Sequence, residues 1–334
     1  MKRERERKRK RKREVYMVVL GRVTSCVLGR GRTSRYVRNI GASVSSSFTD
    51  MKDANGNNKE EELHVDIIPA LETNYVFSFA LPKRGSAASS SSIVCVVDPS
   101  EAKPVMAWLD SKYPTLTDVA ILNTHHHYDH TGGNLEMKEK LQARGVKCTI
   151  YGAENDRQRI PGIDVAVPLD APEEFHIHDS SEPMTFIPVP GHTIGHMAIH
   201  LPRRNACFVG DTVFVMGCGR LFEGDAKMMH ASVSRIASLP ASTILYPAHE
   251  YTLANAKFAL SVDASNAALI DRCKRMQKMR DINQPTVPTT VREELDTNPF
   301  MRVDDVLLRK TIGVDADATG EEVFHVLRTM KDNF

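Results

Sequence analysis

The chain has 334 residues, 41% hydrophobic and 26% charged, an ordinary globular composition with room for one large domain and a smaller one. Its net charge of +2 is uneven: residues 1–50 hold 15 Lys/Arg against 4 Asp/Glu, which is +11 and leaves −9 for the remainder. That speaks against nucleic-acid binding by the body, and no apolar run approaches the ~18 residues a membrane-spanning helix needs.

The chain opens on KRERERKRKRKRE (2–14), a solvated charge run that reads either as a nuclear or nucleic-acid-binding tail or as an accident of where translation is taken to begin. The second reading is preferred. From Val15 to Thr49 acidic residues vanish, and Arg22, Arg30, Arg32, Arg35 and Arg38 are spread among apolar and Ser/Thr residues. That is the composition of an organelle transit peptide, with Met17 as an alternative start. The expected location is the mitochondrial matrix, with the cytoplasm as the alternative. Residues 1–62 are expected to be a disordered extension and linker.

Past Leu63 short apolar strands begin: HVDIIPA (64–70), NYVFSFAL (74–81) and SIVCVVDP (92–99), each closed by turn residues or proline. RGSAASSSS (84–92) between the last two reads as a flexible hairpin loop. A helix at 100–114 precedes the strand DVAILNT (118–124), and a second helix at 134–145 ends on Gly145. KCTIYG, MTFIPVPG, HMAIHLP and ACFVGDTVF are further strands; MMHASVSRIASL is a helix and TILYPAHE the last strand. Strands interleaved with helices imply sheets covered by helices. After His249 strand signals stop, and helices are expected at 252–262, 266–282, 290–296 and 320–334. Residues 63–249 therefore read as a catalytic domain and 250–334 as a small helical one. Six scattered cysteines, with Cys95 and Cys207 inside apolar runs, read as buried free thiols in a reducing compartment.

The chemistry-bearing stretch is THHHYDHTGG (124–133). Alternation along the strand end turns His125 and His127 one way and His126 the other. Asp129 and His130 reach back from the following turn, and Gly132 and Gly133 allow the turn into the next helix. Four donors exceed what one tetrahedral zinc uses beside a water, so two adjacent ions are expected. Three more donors sit at the exits of later strands: His192 in VPGHTIGH, Asp211 in CFVGDTVF and His249 in LYPAHEY. Asp211 has two carboxylate oxygens and can bridge cations about 3.5 Å apart. His126 reads as an oriented neighbour and His196 as a support or strand cap. His64, His176, His178, His200, His230 and His325 read as surface or core.

This ordered set of HxHxDH, GH, GD and AHE resembles the metallo-β-lactamase superfamily, which implies an αββα four-layer sandwich. THHHYDHTGGN, GCGRLFEG (217–224), HEYTLANAKFA (249–259), PTVPTT and NPFMRV (298–303) narrow the resemblance to glyoxalase II, the hydroxyacylglutathione hydrolases, over residues 63–334. The resemblance implies that His125, His127 and His192 hold one metal and Asp129, His130 and His249 the other, with Asp211 and a hydroxide between them. The ions would be zinc, iron or manganese. The implied reaction is hydrolysis of S-D-lactoylglutathione to D-lactate and glutathione, the second step of methylglyoxal detoxification, with Asp129 and Asp211 as the catalytic carboxylates. It implies substrate contacts from Arg220, where the family often has lysine, and from Tyr251, Arg328 and Lys331. Phe222 stands where many members have tyrosine, so one hydroxyl contact is lost. A small-molecule thioester as the partner, and a monomer, are expected. The alternative is a glutathione persulfide dioxygenase of the same superfamily, which uses one iron held by two histidines and a carboxylate; seven donors and the helical tail favour the hydrolase.

Overall fold

The computed structural model describes residues 63–85, 92–170 and 174–334. The basic run, the transit-like segment and the centre of the serine-rich loop lie outside the described residues.

A six-stranded sheet in sequential order is built from β1 (Asp66–Ala70), β2 (Asn74–Pro82), β3 (Ser92–Val97), β4 (Asp118–Leu122), β5 (Lys147–Ala153) and β6 (Val165–Val167). β1, β2 and β3 are antiparallel, while β3 to β6 run parallel. Parallel neighbours need crossovers, and α1 (Ala102–Lys112) with α3 (Asn134–Gln142) supply two of them; the one-turn α2 (Tyr128–Thr131) lies between. The second sheet holds β7 (Thr185–Pro188), β8 (Met197–Leu201), β9 (Ala206–Gly210), β12 (Ile244–Pro247) and β13 (Thr289–Thr290), in the order β13-β12-β9-β8-β7. Between β9 and β12 come the small hairpin β10 (Val213–Phe214) and β11 (Gly217–Cys218) and then α4 (Ala226–Ala237). The tail is helical: α5 (Thr252–Val262), α6 (Ala267–Asp281), α7 (Val291–Thr297), α8 (Val306–Ile312) and α9 (Gly320–Asp332).

The two sheets face each other across an apolar core in which Phe79 stacks on Phe208 (centroids 5.0 Å apart) and Phe208 on Tyr246 (4.8 Å). The other face of the first sheet is covered by α1 and α3 through Val105, Leu109, Met137 and Leu141. The outer face of the second is covered by α4 and, through Phe258, Phe300, Phe324 and Leu327, by the tail. This is the expected αββα sandwich. α9 begins with a capping box between Thr319 and Glu322, which satisfies two backbone donors at once.

Three differences from the sequence reading have clear causes. β13 is a strand inside the helical tail; two residues give no periodicity to read. α8 was not expected either, because its Val306 and Leu307 point to solvent and leave too weak an apolar stripe. Gly132 and Gly133 have ordinary negative φ angles. They are glycine because a Cβ would lie 2.6 Å from the Ser100 carbonyl oxygen or 2.7 Å from that of Pro99.

Candidate metal centre

β4 ends at Leu122, and residues 123–127 leave the sheet edge as a turn rather than as strand. Asn123 holds that turn, donating to the His130 carbonyl (2.9 Å). All seven donors converge here. His125 Nε2 lies 3.1 Å from His127 Nδ1, and His127 Nδ1 lies 3.0 Å from His192 Nε2. Across the cleft His130 Nε2 and His249 Nε2 are 3.3 Å apart, with Asp129 Oδ2 at 3.6 and 3.4 Å from them. Asp211 lies between the two groups. Its Oδ2 is 3.4 Å from His192, and its Oδ1 is 3.5 Å from His130 and 3.4 Å from His249. The donor atoms of His125, His127 and His192 cluster tightly enough to hold an ion, as do those of Asp129, His130 and His249.

The arrangement fits cations. A cluster of ring nitrogens has too few protons to satisfy every close contact, and Asp211 Oδ1 is buried with no hydrogen-bond partner. Buried polar groups are otherwise almost always paired, so converging lone pairs and an orphaned oxygen point to positive charge between them.

The electrostatics follow from crowding. Burial, then the charge of neighbouring histidines, holds His125 well below its ordinary value; the same causes, with His192 first among the neighbours, lower His127 to about 4. His130 is the exception. Burial pulls it down, but Asp211, Asp98 and Asp129 outweigh that and raise it to about 9. Burial works against the Asp211 carboxylate, yet His249, His130 and His192 hold it well below the usual range.

Apart from His126 and His196, the residues that aim the donors were not legible in the sequence. Asp98, at the end of β3 with φ +51°, accepts from the Thr124 amide (2.7 Å), the Thr124 hydroxyl (2.6 Å) and His130 Nδ1 (2.9 Å). A carboxylate cannot donate, so Asp98 keeps a proton on His130 Nδ1 and leaves Nε2, facing the cleft, as the nitrogen that would give up its proton to a cation. The Arg220 carbonyl fixes His192 in the same way (2.8 Å), and Thr73 Oγ1 contacts His249 Nδ1 (3.1 Å). Asn74 steadies Asp129 through its carbonyl (2.9 Å) and Oδ2 (3.1 Å). His196 is buried, stacks on His125 (4.7 Å) and accepts from the Asp211 amide through Nε2 (3.0 Å). His126 turns away, its Nδ1 3.1 Å from Asp156. An aspartate closing a buried strand just ahead of a histidine cluster is the one signal that could have revealed Asp98.

The rim residues are placed unequally. Phe222 is exposed and meets the edges of His127 and His192 (5.5 and 5.2 Å). Tyr251 lies flat on His249, 4.6 Å away at 4°. Arg220 is exposed, near Phe222 and Asp332. Lys331 is half-buried over Phe258, and burial and Arg328 lower its ammonium to about 8. Arg328 differs from the expectation of a substrate contact: it is only 4% exposed. Its Nη1 donates to the Cys218 carbonyl (3.1 Å) and its Nη2 to Asp332 (2.8 Å), so the guanidinium underpins the GCG loop.

Sheets, helical layers and a histidine-carboxylate cleft at the strand ends define a metallo-hydrolase of the metallo-β-lactamase superfamily, whose family model matches residues 106–249. The model described as "Hydroxyacylglutathione hydrolase C-terminus" matches residues 250–334. Hydroxyacylglutathione hydrolase of Methylococcus capsulatus is 46% identical over 267 residues, covering 80% of this chain and 97% of that one. That of Mesorhizobium japonicum is 44% identical over 253 residues, covering 76% and 92%. The chain belongs to the hydroxyacylglutathione hydrolase family. Among solved structures, ETHE1 from Myxococcus xanthus shares the fold, with a TM-score of 0.52 at 20% identity over 80% of this chain and 90% of that one.

Proposed function

We infer that this chain is a thioester hydrolase that cleaves S-(2-hydroxyacyl)glutathiones, S-D-lactoylglutathione among them, to the hydroxy acid and glutathione. The observation that carries this is the cleft itself, two donor triads with Asp211 facing both, in a chain whose relatives are named for that hydrolysis. His125, His127 and His192 would hold one divalent ion, Asp129, His130 and His249 a second, and Asp211 would face both; zinc, iron and manganese all suit these ligands. Bound there, such ions acidify a water and polarise a carbonyl oxygen.

The chain's own residues do the rest. Asp98, the Arg220 carbonyl and Thr73 orient three imidazoles so that each aims Nε2 into the cleft. Asn74 holds Asp129 at a fixed rotation. Phe222 and Tyr251 form apolar walls on opposite sides, limiting water around the scissile bond. Arg220 and Lys331 place positive charge where an anionic tripeptide needs partners, with Arg328 beneath the loop that carries Arg220. The leaving thiolate has a conjugate acid of pKa about 8.5, so it departs without a proton donor.

Loss of thioester absorbance with S-D-lactoylglutathione tests the activity, and oxygen uptake with glutathione persulfide tests the dioxygenase alternative. Hydrolysis without oxygen uptake is expected; the reverse would overturn the reading. We also propose that the domains meet near residue 250, that the chain acts as a monomer, and that residues 15–49 direct it to the mitochondrial matrix. Sedimentation and cell fractionation check the last two.

A further inference from the structure

Three loops around the cleft meet on a charged cluster that the proposed reaction does not use. Asp156, fully buried in a single 3-10 turn after β5, accepts from Arg159 Nη2 (2.5 Å) and contacts His126 Nδ1 (3.1 Å). Arg159 reaches across with Nη1 to Glu223. Glu223 lies in GCGRLFEG, directly after Phe222. Its other oxygen accepts from the Ile194 amide (2.8 Å), two residues past His192, and its first lies 3.6 Å from His126 Nε2. Gly195 completes the cluster: a Cβ there would sit 2.4–2.6 Å from the Asp156 carboxylate. Burial opposes ionisation of Glu223, but Arg159 and the Ile194 amide hold its carboxyl below the ordinary value.

The geometry assigns Arg159 and Glu223 as a latch that sets the height of the loop carrying Arg220 and Phe222 over the cleft, and so positions the glutathionyl moiety. Neither residue touches the donor cleft; each acts through the loop. Phe222 leans on His127 and His192, and the nearby Arg220 carbonyl accepts a hydrogen bond from His192 Nδ1. A loop freed from Arg159 keeps the His192–Arg220 bond and the backbone bonds from the Phe222 amide to the His192 carbonyl (3.2 Å) and from the Gly224 amide to the Gly191 carbonyl (3.1 Å), so the Glu223 side of the rim loosens while the centre stays. This rests on the thioesterase reading for its substrate.

The test uses Arg159→Ala, Glu223→Gln and the double variant of the full chain. Glu223→Gln keeps an acceptor for the Ile194 amide and removes the charge. KM for S-D-lactoylglutathione should rise about two- to fivefold, the range a partly exposed charged contact supports. The dissociation constant for glutathione, measured by calorimetry, should rise in parallel. Saturated turnover and metal content should stay within twofold, and the double variant should be no worse than the weaker single one. Arg159→Lys, which keeps charge but loses the fork, should recover part of the effect. Unchanged KM and glutathione affinity, additive single effects, or metal loss in proportion to activity would each overturn the latch. A wild-type chain with no thioester turnover would instead overturn the proposed reaction, and glutathione affinity would still decide the latch.

Discussion

Asp98→Asn isolates the aim of one imidazole from everything else in the cleft. Asparagine has nearly the same volume and tolerates the left-handed backbone at this position (φ +51°), so the fold of the β3 end survives. The carboxylate now accepts three hydrogen bonds: Oδ1 from the Thr124 amide, and Oδ2 from the Thr124 hydroxyl and His130 Nδ1. An amide has one acceptor oxygen. Kept on the Thr124 amide, it turns its NH2 toward His130 Nδ1, which must then lose its proton. That drives the proton to Nε2, the atom facing Asp211 and His249. Turned the other way, it sets NH2 against the Thr124 amide and leaves a buried donor unpaired, a penalty of about 1–3 kcal/mol. The first arrangement leaves no buried donor unpaired and should prevail, so metal affinity or kcat/KM should fall about 10- to 100-fold, as for other groups that orient metal-binding histidines. Metal affinity is measured by competition with a chromophoric chelator, and kcat/KM with S-D-lactoylglutathione. Both values within threefold of wild type would refute the tautomer argument.

Removing a donor outright should do more: His127→Ala or Asp211→Ala should abolish thioester hydrolysis with loss of metal, checked by elemental analysis of each variant. Arg328→Ala should raise KM, and because three acceptors lose a buried partner it should also lower stability by about 1–3 kcal/mol, read as a shift in denaturation midpoint. Gly219→Ala places a Cβ 2.0 Å from the Asp211 carbonyl oxygen and should lower the midpoint by a similar amount through overpacking, about 1–3 kcal/mol. The metal-free protein should lose stability in both pH directions. His127, held at about 4, is neutral when folded but takes a proton near 6.5 when unfolded, so stability falls as pH drops below 6.5 toward 4. His130, raised to about 9, contributes fully below 6.5, and that contribution disappears as pH rises through 9. Unfolding midpoints at several pH values, with and without metal, check both limbs; metal loading should flatten them.

Much of this was readable from the residues because the pattern that builds a sheet also aims its ends. Runs such as NYVFSFAL and ACFVG alternate or saturate with apolar side chains, and the donors follow directly at strand exits, so the convergence of His125, His192, Asp211 and His249 could be expected from motif order. What escaped depends on contacts between distant segments. Asp98 looks like any strand-ending aspartate until His130 is folded against it. Arg328, expected from the family resemblance to contact substrate, proves buried, because the carbonyls of the GCG loop and Asp332 surround it. Gly132 and Gly133 look like conformational glycines and are glycines of close approach. The burial of a polar side chain is decided by its partner, and the partner lies far along the chain.

Elemental analysis of the purified protein, run beside the S-D-lactoylglutathione absorbance assay before and after chelation, is the most direct measurement. Two transition ions per chain and hydrolysis that chelation abolishes and metal restores are expected. A folded, fully active preparation free of such ions would contradict the assignment of the seven donors.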